Sequence, residues 1–126
     1  DENISNPEHK DDAESQLTAQ QKKIANNIKA MKVKCLSAKY SKKAKTVKLK
    51  YKKLNKSYKL DGYQSYKSKK KNSAFKKVGV TAKQTWKCRL TGKKGDVYYY
   101  KTRGFRNIGD TVYYTKWSNV KSVTIR

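Results

Sequence analysis

Val47-Lys48-Leu49-Lys50-Tyr51 is the stretch on which the fold turns. It alternates strictly between apolar and cationic residues, and a strand sends successive side chains to opposite faces. One face of this segment therefore packs and the other meets water. The same period of two recurs at 33–38, 62–66, 75–80, 85–90, 97–105, 112–117 and 120–125. The gaps carry turn residues: Ser41-Lys42-Lys43, Asn55-Lys56-Ser57, Lys71-Asn72-Ser73, Gly92 with Gly95-Asp96, and Gly109-Asp110. About seven short strands, with a turn signal roughly every 8–12 residues, predict an all-β antiparallel sandwich or barrel. No helix-length pattern separates the strands, which argues against a parallel sheet.

Upstream of residue 32 the pattern changes. Residues 1–15 are polar and acidic, broken by Asn6-Pro7, and are expected to form a flexible arm or linker. Leu17, Ile24, Ile28 and Met31 fall at helical spacing, which predicts one or two helical turns, marginal in isolation. The expected division is an arm over 1–31 and a domain over 32–126. The opening Asp1-Glu2-Asn3 is what a processed or truncated product would show.

Hydrophobic residues make up 35% and the mean hydropathy is −1.10, values that would fit disorder. The aromatics argue otherwise. Ten Tyr, two Trp and two Phe all lie at or after Tyr40. A tyrosine can line a core while its hydroxyl reaches a polar partner. The formal net charge is +24, and six of the nine acids fall in the first 14 residues. Residues 31–126 hold 29 basic and three acidic residues, a local net of +26. Such a field attracts polyanions over a distance set by salt. Nucleic acid, anionic cell-wall polymer, acidic glycan and membrane headgroups are the partners it admits; a solvated lysine coat is the competing reading.

The candidate polyanion contacts are Lys67, Lys69, Lys70, Lys71, Lys93, Lys94, Arg103 and Arg106, with Lys42, Lys43, Lys45 and Lys52-Lys53 adding to them. Lysine dominance favours diffuse attraction, because only arginine offers a planar fork for bidentate readout. Tyr99, Tyr114 and Trp117 are candidate aromatic contacts; ordinary cross-strand pairing is the alternative for them.

The inventory for catalysis is nearly empty. The only histidine is His9, in the acidic arm. Asp61 and Asp110 sit in turns and Asp96 follows a glycine, so turn chemistry explains each acid of the domain. Cys88 lies between Lys87 and Arg89, but the domain has no histidine to serve it as a base. Cys35 and Cys88 are an even count that permits one disulfide, and each also reads as a small core residue. Neither an enzyme, a metal site nor a cofactor is expected. No apolar run approaches the length of a membrane span.

Two longer stretches carry a family resemblance. Tyr51, Leu60-Asp61-Gly62-Tyr63-Gln64-Ser65-Tyr66-Lys67-Ser68 and Phe75-Lys76-Lys77-Val78 resemble the middle of a bacterial fibronectin type III domain. Gly95-Asp96-Val97-Tyr98-Tyr99-Tyr100-Lys101-Thr102-Arg103-Gly104-Phe105 is similar to its sixth strand, and the stretch from Val112 to Ile125 to its last. The sequence departs from that pattern in several places. Tyr51 replaces the usual Trp, Leu60 an Ala, Ser65 a Val or Ile, Thr102 a Val and Gly104 an Ala. Ser65 is therefore expected to weaken its layer of the core. Leu90 lies two residues further from Gly95 than in the family's corner.

The resemblance implies two antiparallel sheets of about seven strands, with Tyr51, Tyr63, Trp86, Tyr98 and Tyr100 in the core. Tyr98 would be a corner tyrosine, its hydroxyl returning to the backbone. It also implies a monomeric, non-catalytic accessory, spacer or adhesion module of a secreted or cell-surface protein. The partners would be anionic wall polymer or other protein domains. The alternative is a polyanion-binding protein for nucleic acid or acidic glycan.

Overall fold

The structure is a computed structural model and describes residues 17–52 and 59–126. The expected arm over 1–15, His9, Lys53 and the turn at 55–57 lie outside the described residues. A helix, α1 (Ala19–Ala30), precedes eight strands: β1 (Cys35–Ser41), β2 (Thr46–Tyr51), β3 (Gly62–Ser68), β4 (Lys76–Thr81), β5 (Thr85–Arg89), β6 (Val97–Ile108), β7 (Thr111–Tyr114) and β8 (Lys121–Thr124). One sheet runs β1-β2-β5. The other runs β4-β3-β6-β7, with β8 also on β6, and every strand pairing is antiparallel. The sheets face each other across one core, as the alternation predicts. Val47, Leu49 and Tyr51 of the deciding stretch point inward, and Lys48 and Lys50 point out.

Three departures from the family pattern meet at one point of that core. Tyr51 brings its hydroxyl across from β2 to the opposite sheet, where it shares a 2.5 Å hydrogen bond with the Ser65 hydroxyl. Ser65 in turn lies 3.3 Å from the Thr102 hydroxyl. Ser65 and Thr102 face each other across β3 and β6 and have no solvent exposure. A phenol buried at position 51 needs a hydrogen-bond partner, and Ser65 is placed to provide it. Ser65 therefore does not weaken its layer; it satisfies Tyr51. Tyr63 stacks on Tyr51 at 4.9 Å between ring centroids, which closes the layer. Trp86, Tyr98 and Tyr100 complete the aromatic core.

Leu60 and Gly104 are a second matched pair. A Cβ at Gly104 would lie 2.4 Å from Leu60 Cδ1, so the larger residue at 60 occupies the space left by the smaller one at 104, and Ala there would make the Leu60 side chain shift. Tyr98 differs from the corner role. Its ring is buried and its hydroxyl comes up beside Gly92, but it makes no backbone hydrogen bond among the described residues.

The last edge of the larger sheet is split. β7 and β8 lie along successive halves of β6, and between them the side chains of Thr115 and Ser118 take over the ladder. Thr115 Oγ1 accepts from the Gly104 N–H and Ser118 Oγ from the Thr102 N–H, both at 2.9 Å. The backbone returns the favour, since Thr115 N–H donates to Gly104 and Ser118 N–H to Thr102. Asn119 then clamps β1: its Oδ1 accepts from Cys35 N–H and its Nδ2 donates to Cys35 C=O.

The helix is longer than the one or two turns expected. It spans 12 residues and opens on a capping box in which Thr18 and Gln21 each bond the other's backbone. Ala25 and Ile28 pack on Ile108 and Tyr113 in a second, smaller cluster at the β6–β7 end. Tertiary packing of this face supplies the stability an isolated helix lacks.

Two predictions follow from the core. Ser65→Ala should cost about 1–3 kcal/mol and Tyr51→Phe about 1 kcal/mol. The double variant should cost less than their sum in urea unfolding, because the orphaned phenol is gone; strict additivity would show that the hydroxyls are not coupled. Burial also pushes the Tyr51, Tyr63 and Tyr100 hydroxyls up from their ordinary pKa. The unfolded chain releases those protons near pH ~10. Their contribution is thus complete below about pH 10 and is lost as pH rises past it. In an alkaline titration, part of the tyrosinate absorbance should emerge only together with the loss of near-ultraviolet circular dichroism.

Candidate functional site

Three lysine-bearing turns come together at one pole of the sandwich. The β1–β2 turn (42–45) closes with Leu90 N–H donating to Lys45 C=O, which joins it to the β5–β6 connection. The β3–β4 loop leaves at Ser68, which pairs with Tyr99 near the start of β6. Lys67 and Lys69 bring their ammonium groups 5.1 and 5.7 Å from the Tyr98 ring centroid. The Tyr98 hydroxyl in turn reaches Gly92 of the β5–β6 connection, next to Lys93 and Lys94. Lys42, Lys43, Lys45, Lys69, Lys70, Lys71, Lys93 and Lys94 are all exposed here.

Each turn is fixed by one side chain. Ser41 Oγ accepts from Ala44 N–H at 3.2 Å. Ser68 Oγ accepts from Lys70 N–H at 2.9 Å and donates to Ser73 C=O. Asp96 Oδ2 accepts from Lys93 N–H at 3.0 Å. Left-handed backbone at Lys45, Ala74 and Gly95 completes the bends. The cations thus stand on ordered backbone, which lowers the entropy lost when they engage a ligand. The two sheets stand about 10 Å apart, close to one Debye length at ~0.1 M salt, so the three turns act as one field.

The remaining two candidate cations lie elsewhere. Arg103 sits on the outer face of the larger sheet, its guanidinium 3.8 Å from the Tyr114 ring centroid and 4.7 Å from that of Trp117. Its Nε donates to Gln64 Oε1 at 3.1 Å and its Nη2 to the Tyr66 hydroxyl at 3.4 Å. Lys101 covers Trp117 at 4.2 Å and Phe75 at 4.5 Å, and Tyr66 meets Trp117 edge-on. Tyr114 and Trp117 therefore present rings already faced by cations, an arrangement that stabilises the sheet surface. Tyr99, on the same face of β6, is half-buried. Arg106 is at the opposite pole, where its Nη1 donates to Lys59 C=O at 3.0 Å.

Comparison with solved structures bears on the scaffold that holds these turns. An Fn3-like protein from Clostridium thermocellum matches over 71% of this chain and 86% of its own, at 13% identity and a TM-score of 0.51. The FN1–FN3 domains of chicken CNTN1 match over 77% of this chain, at 10% identity and a TM-score of 0.60. Domains A168–A170 of titin match over 78%, at 13% identity and a TM-score of 0.50. The fold is fibronectin type III-like. This chain covers 34% and 32% of the length of the latter two. No family model matches the sequence, and no curated protein does.

In this fibronectin type III-like sandwich the two cysteines do not pair; both are free thiols. Cys35 lies opposite Tyr51 and Cys88 opposite Val47, on the two flanks of β2. Two strand spacings and four residues along β2 separate their Cα atoms by roughly 16 Å. A disulfide spans about 4.4–6.8 Å, so the topology forbids it. Burial pushes the Cys35 thiol up from its ordinary pKa. Among the described residues no three His, Cys, Asp or Glu side chains group to hold a metal, and no helix is long and apolar enough to cross a membrane. Asp61 is engaged in structure: its Oδ2 accepts from Asn107 N–H at 2.7 Å.

A thiol reagent applied to the native protein should label half-buried Cys88, and Cys35 only on unfolding. Mass spectrometry of the labelled chain reads the order. Equal labelling, or none without a reducing agent, would contradict this placement.

Proposed function

We propose that this chain is a non-catalytic spacer or adhesion module of a bacterial secreted or cell-surface protein, and that its lysine pole contacts anionic cell-wall polymer. The convergence of three capped lysine turns is the observation that carries the reading. The fold supports it, as does the likeness to a bacterial Fn3-like protein. The make-up of the pole supports an electrostatic mode. Its turns carry lysines, which attract as point charges without demanding a fixed acceptor geometry. The Tyr98 ring below them is 8% exposed and has two ammonium groups beside it, so it offers no stacking platform for a base. That favours a backbone-charged polymer over a nucleic-acid reader. The absence of a histidine after His9 and the structural duties of Asp61 and Asp96 support a non-catalytic role.

Cosedimentation with purified cell walls tests it. Wild-type protein should bind at low salt, with log affinity falling by about 0.7–0.9 per contact for each unit of log salt. The triple variant Lys69→Glu, Lys70→Glu, Lys71→Glu should keep its near-ultraviolet spectrum and bind at least about tenfold more weakly. Unchanged wall binding by the folded triple variant would remove the electrostatic contact. Duplex DNA or heparin bound more tightly than wall polymer would move the assignment to a general polyanion binder.

A further inference from the structure

The outer face of the β1-β2-β5 sheet carries a feature the pole does not explain. Lys39 stands directly opposite Lys48, and Lys48 directly opposite Lys87. All three are exposed. Opposed residues on neighbouring strands have Cβ atoms about 4.5–5.5 Å apart, and like charges so placed are destabilising. Lys48, the middle member, is repelled from both sides. One step along the sheet, Lys50 is flanked by Ser37 and Thr85. Apart from Leu36 in the β1 bulge, the outward positions of these strands are Ser, Thr, Lys and Arg. Among the described residues, no carboxylate on this face relieves the row and no aromatic ring offers stacking. The face is flat, hydroxyl-flanked and cationic, with its charges in a line across the strands.

We propose that this lysine row is a second contact strip, for a flexible phosphate-bearing polymer strand laid across β1, β2 and β5. The inference rests on the reading of the chain as a module that meets an anionic polymer, and adds a site to the pole. A strand of phosphates supplies one negative charge above each ammonium and cancels the repulsion among the three. The free protein thus stores an unfavourable term that the bound one does not. Lysine suits phosphate as a point charge, whereas carboxylate recognition would favour the arginine fork. A polymer read through its bases or sugar faces would need the rings that this face lacks.

The row has a two-sided signature. Lys48→Gln should raise the melting temperature of the free chain by about 2–5 °C at low salt. That gain should close near 1 M salt, where the Debye length is about 3 Å; a gain due to strand propensity would persist. Long-chain inorganic polyphosphate should raise the melting temperature of wild type and raise that of Lys48→Gln by less. In the triple variant Lys39→Gln, Lys48→Gln, Lys87→Gln, the log–log salt slope of polyphosphate affinity should fall by about 0.7 per lysine removed. Lys69→Gln, Lys70→Gln, Lys71→Gln removes the same charge at the pole and is the comparison. If the row variant keeps the wild-type slope while the pole variant loses it, the row is not a contact and the pole reading stands. If polyphosphate stabilises neither wild type nor variants, both readings fall. Stabilisation by heparin alone would overturn the phosphate assignment in favour of a sulfated glycan.

Discussion

The hydroxyl of Tyr51 crosses from one sheet to the other, and the rest of the sandwich is arranged around what it finds there. A phenol enclosed between sheets needs a hydrogen-bond partner or it costs stability. Ser65 supplies that partner and Thr102 backs Ser65. Each would look like a defect alone: a polar residue at a position that usually holds a branched aliphatic one. Together they replace a dispersive contact by a directional one that fixes the relative placement of β2, β3 and β6. Buried networks of this kind favour one register over its neighbours, because a slip would strand every member at once. The Leu60–Gly104 pair obeys the same logic in volume rather than polarity.

Thr102 and Gly104 are also the two residues whose N–H groups are taken by side chains from the split edge. The interior network and the surface edge are therefore coupled through one short run of β6. Its inward side meets Ser65 and Leu60, its backbone is held by Ser118 and Thr115, and its outward Arg103 is held by Tyr114, Trp117 and Gln64. From Ser118, Asn119 reaches the first strand of the opposite sheet. The tie runs from one sheet to the other both through the core and around its edge.

The alternation at Val47-Lys48-Leu49-Lys50-Tyr51 and its repeats were enough to read the class of fold, because side-chain period and face are fixed by strand geometry. The partners of individual residues were not legible. Ser65 could be read as a weakness because its compensation lies 14 residues away at Tyr51 and 37 away at Thr102. Periodicity carries no information at those separations. Helix docking was missed for the same reason: Ile28 has no visible use until Ile108 and Tyr113 are brought under it. Charge runs placed Lys69 to Lys71 and Lys93-Lys94 on turns, but only topology shows that these turns share a pole while Arg106 lies at the other. The Cys35–Cys88 question needed strand order as well, since an even count says nothing about which side of β2 each cysteine takes. Cross-strand lysine pairs were equally hidden, because each lysine looked like the ordinary outward residue of its own strand.

A domain with a local net of +26 must tolerate its own field, and the arrangement shows how. Inward positions carry almost no formal charge, so the repulsion is confined to groups in contact with water and is screened by salt. Tyrosine makes this workable: buried rings such as Tyr51, Tyr63 and Tyr100 provide apolar area, and the Tyr51 hydroxyl pairs locally with Ser65. Part of the cationic excess is also absorbed by ring faces, as Lys67 and Lys69 do at Tyr98, and Lys101 and Arg103 do at Trp117. Lys42, Lys43, Lys45, Lys70, Lys71, Lys93 and Lys94 at the pole, and Lys39, Lys48 and Lys87 on the smaller sheet, face no aromatic ring among the described residues. Charge left uncompensated by the fold is the charge that the proposed polymer contacts would use.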